Sequence, residues 1–451
     1  MSTNLHRPAR EVQALEEVGV TVVSWGVALG MVLAFAVTIF GVALLEPFAE
    51  GLEEVSDVDG RETTGQRQIF KGFGAEVQTA LVGSGGEGAL AVNRSLLAAM
   101  DRFEDRLEEQ SFLRRWLLPR LQWRLAAATG LGNEQVYIGE REWLFFRPDV
   151  DYVVGRGFLD PRVQEARRRG GDAWLPAPEP DPLPALMDLQ EQLRSRQIHL
   201  IVMPTPVKPT VEPGRFSERA LDTGGALQNL SFAQFQNQVA DLGIDVLDPA
   251  PVLVKARLES GKSQYLRTDT HWTPDAVETV AQELARKIMA ALLVSEPDPG
   301  SYGRRPVIVE SLGDIAGMLS LPPAQRWISA ERVTTQLVIR ADGRAWQVEK
   351  GAEILLLGDS FTNVYSDATL GWGAGAGLAE QLSYCLQRPV DRMAVNAGGA
   401  LQARKTLQRS LAGREDRLAG KKVVVYQFAV RELTQGDWQI VELADADSAN
   451  R

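Results

Sequence analysis

The sequence predicts an α/β domain built on a mostly parallel sheet flanked by helices, preceded by one transmembrane helix and a helical spacer. Three observations carry this reading. Short apolar runs alternate with amphipathic stretches from residue 133 to about residue 440, a long charge-free segment stands near the N-terminus, and the region between them is acidic and partly helical in period. Strands that alternate with helices pair in parallel, because each return to the sheet needs a helical crossover.

The 451 residues exceed the roughly 50 to 250 of an ordinary domain, so one large domain plus extra segments is expected. An apolar share of 45% and a charged share of 24% fit a globular chain. The net charge of −11 repels polyanions, which argues against a nucleic-acid partner. The one dense basic run, Arg167-Arg168-Arg169, reads as a solvated helix face. The single cysteine, Cys385, excludes an internal disulfide and a thiolate zinc site, and reads as a packed residue.

Val18 to Leu45 contains no charged residue and exceeds the ~20 residues a helix needs to cross a bilayer. It lacks the short apolar core and small-residue cleavage site of a signal peptide, so it is expected to stay as an anchor. Arg7 and Arg10 precede it, whereas no Lys or Arg follows until Arg61. This asymmetry predicts a cytoplasmic tail over 1–17, an anchor over 18–45 and the body beyond the membrane.

Residues 46–132 read as linker and helical spacer, with breaks at 46–68 and at Gly83–Gly88, and an apolar stripe at Leu96, Met100, Phe103 and Leu107. That stripe either packs on the protein itself or meets a membrane partner. The main domain, 133–440, opens with VYIG and WLFF around a turn at Gly139–Arg141. The helix LMDLQEQLRSR and the strand IHLIVM follow, then a helix near Phe232–Asp241, the strand IDVL and a helix to Glu259. The stretch YLRTDTHWTP leads into a long helix through Ile288, with Thr273 as N-cap and Pro274 in the first turn. The strand EILLL, a helix near Leu378–Leu386, the strand RMAVN, a helix after Ala400 and the strand KVVVYQF complete the series, and 441–451 reads as a tail. No internal repeat is present.

Ligands and catalytic groups in such sheets gather at the carboxyl ends of strands. Gly358-Asp359-Ser360 follows EILLL, where glycine permits the tight turn that lifts a side chain above the sheet. On average residue usage about one chain in ten of this length holds that tripeptide by accident. A hydroxyl nucleophile also needs a base and a group to orient it. Of three histidines, His6 precedes the anchor and His199 lies inside an apolar strand, which leaves His271. Asp269 stands two positions earlier, on the same side of an extended segment. TDTHW is thus read as a strand end at a strand-to-helix corner, where the pair either orients a base or only caps and packs that corner. Asn396 and Gly398, in VNAGG, are candidates for oxyanion contacts or an ordinary glycine turn. Lys208 and Arg431 also follow strands, as substrate-binding groups or surface charges. ARLESGKS follows a helix rather than a strand, and GWGAGAG lacks the spacing of a dinucleotide loop, so neither implies a nucleotide. No cofactor and no metal are expected.

LGDSF with TDTHW, together with YIGEREWLFF and MPTPVKPTVEP, resembles the alginate O-acetyltransferases of the AlgJ and AlgX type, whose catalytic domain is SGNH-hydrolase-like. The similarity covers Asn133 to Leu433. Acid and base precede the serine here, the permuted order of the acetyltransferase group. The resemblance implies Ser360 as nucleophile, His271 as base and Asp269 as its orienter. It further implies an exopolysaccharide acceptor, a membrane-bound O-acyltransferase that delivers acetyl groups, a polysaccharide synthase or secretion complex, and a periplasmic site on a single-pass protein of the bacterial inner membrane. A carbohydrate acetyl esterase and a non-catalytic polysaccharide-binding or scaffold subunit are the alternatives.

Overall fold

The computed structural model describes residues 74–79, 95–102, 112–170, 177–219, 224–291, 298–322, 325, 327–411 and 416–443. The chain divides into two units, Met1–Leu121 and Gln122–Arg451. In the first, residues 74–79 and 95–102 are helical, and the helix Phe112–Thr129 begins there. The charge-free stretch 18–45 lies outside the described residues, as do Phe103 and Leu107 of the expected stripe; Met100 of that stripe is exposed. Among the described residues no helix is long and apolar enough to cross a membrane.

In the second unit, β1 (Val136–Ile138) and β2 (Leu144–Phe146) form the expected hairpin. The central sheet contains β3 (His199–Thr205), β4 (Asp245–Val246), β7 (Ile354–Gly358), β8 (Asp391–Ala394) and β9 (Val423–Ala429). Its order is β4-β3-β9-β7-β8, and every pairing is parallel. β7 and β9 are buried along their whole length, the pattern of strands covered on both faces, which explains their unbroken apolar runs.

Alternate residues of these strands enter opposite cores. Ile201, Met203, Leu356 and Val425 pack beneath α3 (Ala250–Ser260), α4 (Pro274–Ala290) and α5 (Leu378–Leu386). Leu200, Val202, Leu357 and Tyr426 pack beneath α1 (Pro182–Ser195), α2 (Phe232–Asp241) and α6 (Gly399–Leu411). The capping residues act as their types dictate: the Thr273 side chain accepts from the Ala276 N–H, and Gly261 ends α3 at φ +67°.

The chain winds one way from β3 to β4 and the other way from β7 to β8, then inserts β9 between the halves. Such a reversal marks the carboxyl ends of β3, β9 and β7 as the place where active groups gather in open α/β sheets. Lys208, Arg431 and Ser360 follow those three ends.

Several expectations need correction. The TDTHW stretch is not a strand end; it is an irregular loop closed by a bridge between Tyr265 and Trp272. β5 (Tyr302–Ser311) and β6 (Glu331–Arg340) form a ten-residue antiparallel ribbon that the alternation of strands and helices does not reveal. Much of β5 is exposed, which blurs the period-2 pattern. Of the arginine run, Arg168 and Arg169 are solvated, whereas Arg167 turns inward to the Gly436 carbonyl. Residues 441–443, read as the start of a tail, pack on α1, where Gln192 bonds the backbone of Val441 and Leu443.

Candidate active site

Gly358, Asp359 and Ser360 leave β7 in a turn that begins a short helix, Ser360–Asn363. Asp359 caps that helix by accepting from the Phe361 N–H at 2.9 Å, and its second oxygen accepts from Ala429 N–H at 2.9 Å. The Asp359 N–H donates to Gln427 Oε1, which also accepts from Thr362 Oγ1, while Gln427 Nε2 donates to Thr205 Oγ1. The aspartate of Gly-Asp-Ser therefore fastens the serine turn to the ends of β9 and β3. Gly358 is required by space: a Cβ there would lie 2.3 Å from Thr362 Oγ1 and 2.6 Å from Gln427 Oε1, both held in these bonds. Gly358→Ala should lower stability by about 1 to 3 kcal/mol in chemical denaturation, the cost of overpacking; an unchanged midpoint would show that the corner yields.

The histidine loop reaches this turn through two tethers. Trp272 Nε1 donates to Phe361 O at 3.1 Å, and Tyr365 Oη donates to Trp272 O at 2.8 Å. They bring His271 Nε2 to 2.8 Å from Ser360 Oγ and His271 Nδ1 to 2.6 Å from Asp269 Oδ1. The pairing of Asp269 with His271 comes from a local turn rather than strand alternation, since the His271 N–H also donates to Asp269 Oδ1 at 2.9 Å. Trp372 Nε1 and the Asp314 N–H donate to Asp269 Oδ2 at 2.8 and 3.0 Å. Ser360 is half-buried, while Asp269 and His271 are 1% and 4% exposed.

Burial by itself would raise the Asp269 carboxyl, but the His271 charge and these hydrogen bonds hold it well below its usual range. An ionised carboxylate only accepts, so Nδ1 carries the ring proton and the Nε2 lone pair faces the serine hydroxyl. Burial pushes His271 down, and Asp269, joined by Asp314 at 3.9 Å from Nδ1, more than reverses this, leaving it above its ordinary value. The Ser360 N–H, at the first position of its helical turn, makes no hydrogen bond among the described residues.

The other residues singled out from the sequence divide. Lys208 is fully buried: its Nζ donates to Leu144 O at 2.7 Å and Arg267 O at 3.3 Å, bracing β2 against the histidine loop. Burial lowers it to about 8, against the upward pull of Asp269, Asp314, Asp149 and Glu331. Arg431 lies over the Phe361 ring at 5.7 Å and pairs with buried Asp149 at 2.8 Å. Burial would lower it, but Asp149 and Asp359 raise it, so it stays a cation beside the serine turn. Asn396 bonds Asn363 and Asp367, and Gly398 packs on Val395 and Gln402. Neither hydrogen-bonds Ser360 among the described residues.

Sequence reasoning missed Trp372 and Asp314. The first sits in the glycine run set aside as a nucleotide decoy, and the second follows the ribbon that went unread. Asp269, His271 and Asp314 also place ligand-type atoms within 4.8 Å of one another. Their oxygens already accept: Asp269 from His271, Trp372 and the Asp314 N–H, and Asp314 from the Thr270 N–H and hydroxyl. That donor set suits a hydrogen-bonded relay better than an ion.

The profile of a family described as an SGNH hydrolase-like domain, acetyltransferase AlgX, matches residues 136–430, well over half of the chain. The chain is 29% identical over 204 residues to a probable alginate O-acetylase AlgJ of Azotobacter vinelandii, covering 43% of this chain and 44% of that protein. It is 29% identical over 165 residues to a probable alginate O-acetylase AlgJ of Pseudomonas aeruginosa, covering 34% of this chain and 41% of that one. The chain thus spans less than half the length of these curated relatives. The O-acetyltransferase domain of Pseudomonas putida AlgJ is 18% identical, over 70% of this chain and 97% of that one, with a TM-score of 0.48. Pseudomonas aeruginosa AlgX is 18% identical, over 66% and 65%, with a TM-score of 0.45. The extent of the profile match decides the matter: the chain belongs to the AlgJ/AlgX family of SGNH hydrolase-like acetyltransferase domains.

Proposed function

We propose that the protein is a membrane-anchored O-acetyltransferase that acetylates an exopolysaccharide at the periplasmic face of a bacterial inner membrane, through an acetyl-Ser360 intermediate. The observation that carries this is the unbroken relay from Asp269 through His271 to Ser360, with links of 2.6 and 2.8 Å. Relatives named as probable alginate O-acetylases support the acetyl group and a polysaccharide acceptor. The charge-free stretch 18–45 supports the anchor.

In the first half-reaction Ser360 Oγ attacks the acetyl carbonyl as its proton passes to His271 Nε2, and Asp269 stabilises the imidazolium. The Ser360 N–H donates to the developing oxyanion, and positive charge on Arg431 favours it. Collapse expels the donor's leaving group, which takes the proton back from Nε2. In the second half-reaction a sugar hydroxyl gives its proton to Nε2 and attacks the acetyl ester; collapse breaks the bond to Ser360 Oγ, which takes that proton back from Nε2, leaving acetylated sugar and free enzyme. A membrane-bound O-acyltransferase would supply the acetyl group from within the bilayer, beside a polysaccharide synthase or secretion complex.

Full-length protein in detergent, incubated with 4-nitrophenyl acetate and oligosaccharides of several exopolysaccharides, should yield acetylated sugar by mass spectrometry. Free acetate with no acetylated sugar would make the protein an esterase. Neither product would leave a binding or scaffold role.

A further inference from the structure

Resting on that reading of Ser360, we propose that Trp372 is a positioning residue for the Asp269–His271 pair, and that the glycine run around it and the β5–β6 ribbon form its mount. Asp269 Oδ1 faces His271, and Oδ2 accepts from Trp372 Nε1 at 2.8 Å and from the Asp314 N–H at 3.0 Å. With both oxygens engaged, the carboxylate cannot rotate about its terminal bond. Oδ1 is thereby held in line with Nδ1.

Gly371-Trp372-Gly373-Ala374-Gly375 explains how an indole comes to lie there. Gly371, Gly373 and Gly375 have φ of +85°, +82° and +81°, a conformation glycine adopts without strain. A Cβ on each would meet the ribbon: Ser311 Oγ at 2.8 Å, Val309 Cγ1 at 3.1 Å and Leu337 Cδ1 at 2.4 Å. The Val338 N–H donates to Gly375 O at 2.9 Å, which bonds the run to β6. Every second residue thus lies flat on the ribbon while the intervening Trp372 reaches Asp269. The other donor to Oδ2 has the same source, because Asp314 follows directly from β5 through Gly313. Gly313 has φ +87°, and a Cβ there would lie 2.4 Å from Thr268 O. The ribbon, which adds no strand to the central sheet, therefore carries both donors that fix the far side of the acid.

The indole N–H draws negative charge toward Oδ2, away from the imidazole. Its loss concentrates charge on Oδ1, strengthens the pull on the imidazolium and raises the His271 pKa further. Trp372→Phe keeps an aromatic ring in the site and removes the donor together with part of the buried ring volume. The expected result is a fall of about 10- to 100-fold in kcat, as when a supporting hydrogen bond is lost, with KM unchanged because Trp372 is buried and bonds Asp269 on the oxygen turned away from His271. The acid limb of the kcat/KM profile should move up by about one pH unit, the size of a hydrogen bond to a charged group.

Should the phenylalanine variant fold poorly, benzothienylalanine incorporated at position 372 in the full chain replaces the indole N–H by sulfur at nearly constant shape and should give the same shift. A variant with the wild-type limb and kcat, or one losing kcat with no movement of the limb, would overturn the positioning role. Failure of the underlying reading looks different: wild-type protein would then show no turnover dependent on Ser360, whatever stands at 372.

Discussion

Ser360→Ala is expected to abolish acetyl transfer and simple ester cleavage together, with kcat falling by about five orders of magnitude or more. The hydroxyl is the only atom lost, and it is the one that accepts the acetyl group in the proposed mechanism. The fold should survive, because Asp359 and not Ser360 holds the corner through bonds to Phe361 N and Ala429 N. Rates on 4-nitrophenyl acetate and intact-protein mass spectrometry check this. Wild type should carry a transient acetyl adduct that the variant lacks, and an adduct on the alanine variant would place the nucleophile elsewhere.

Asp269→Asn should cost about four orders of magnitude in kcat at nearly constant shape. An amide at 269 can donate to Nδ1, which lets the imidazole settle with its proton on Nε2, where it no longer accepts from the serine. The amide also cannot stabilise the imidazolium. The pH profile supplies the sign. In the wild type Asp269 holds the His271 pKa above its ordinary value. Nε2 therefore protonates, and the base is lost, as pH falls through a point above the usual ~6.5 of histidine. Without the carboxylate charge, burial dominates and the acid limb should move down. That is opposite to the shift expected for Trp372→Phe, so the two profiles, measured on the same substrate, separate loss of charge from loss of alignment. An Asn variant whose limb stays in place would remove Asp269 from the relay.

The sheet was legible because burial on both faces leaves a plain trace. EILLL and VVVYQF read as strands since parallel strands under helices carry unbroken apolar runs. The long helix after Thr273 was legible for a similar local reason, its cap and first-turn proline standing next to one another. The β5–β6 ribbon was not, since it packs unevenly along its length and its pattern therefore has no clean period. Asp269 and His271 were picked out for their types and spacing, yet the mechanism of their pairing was misread: a loop turn, not strand geometry, joins them.

Composition, period and caps are written between neighbours a few residues apart, and they suffice to name the strands, the helices and the residue types able to act on an ester. Whether those residues meet is a different kind of fact. Ser360 and His271 are 89 positions apart, and Trp372 and Asp269 are 103 apart. They touch because β9, the last strand, inserts between β3 and β7, and because a ribbon outside the sheet carries an indole and a backbone N–H to one carboxylate. Contacts of that span depend on how whole elements pack, and no stretch of a few residues records them.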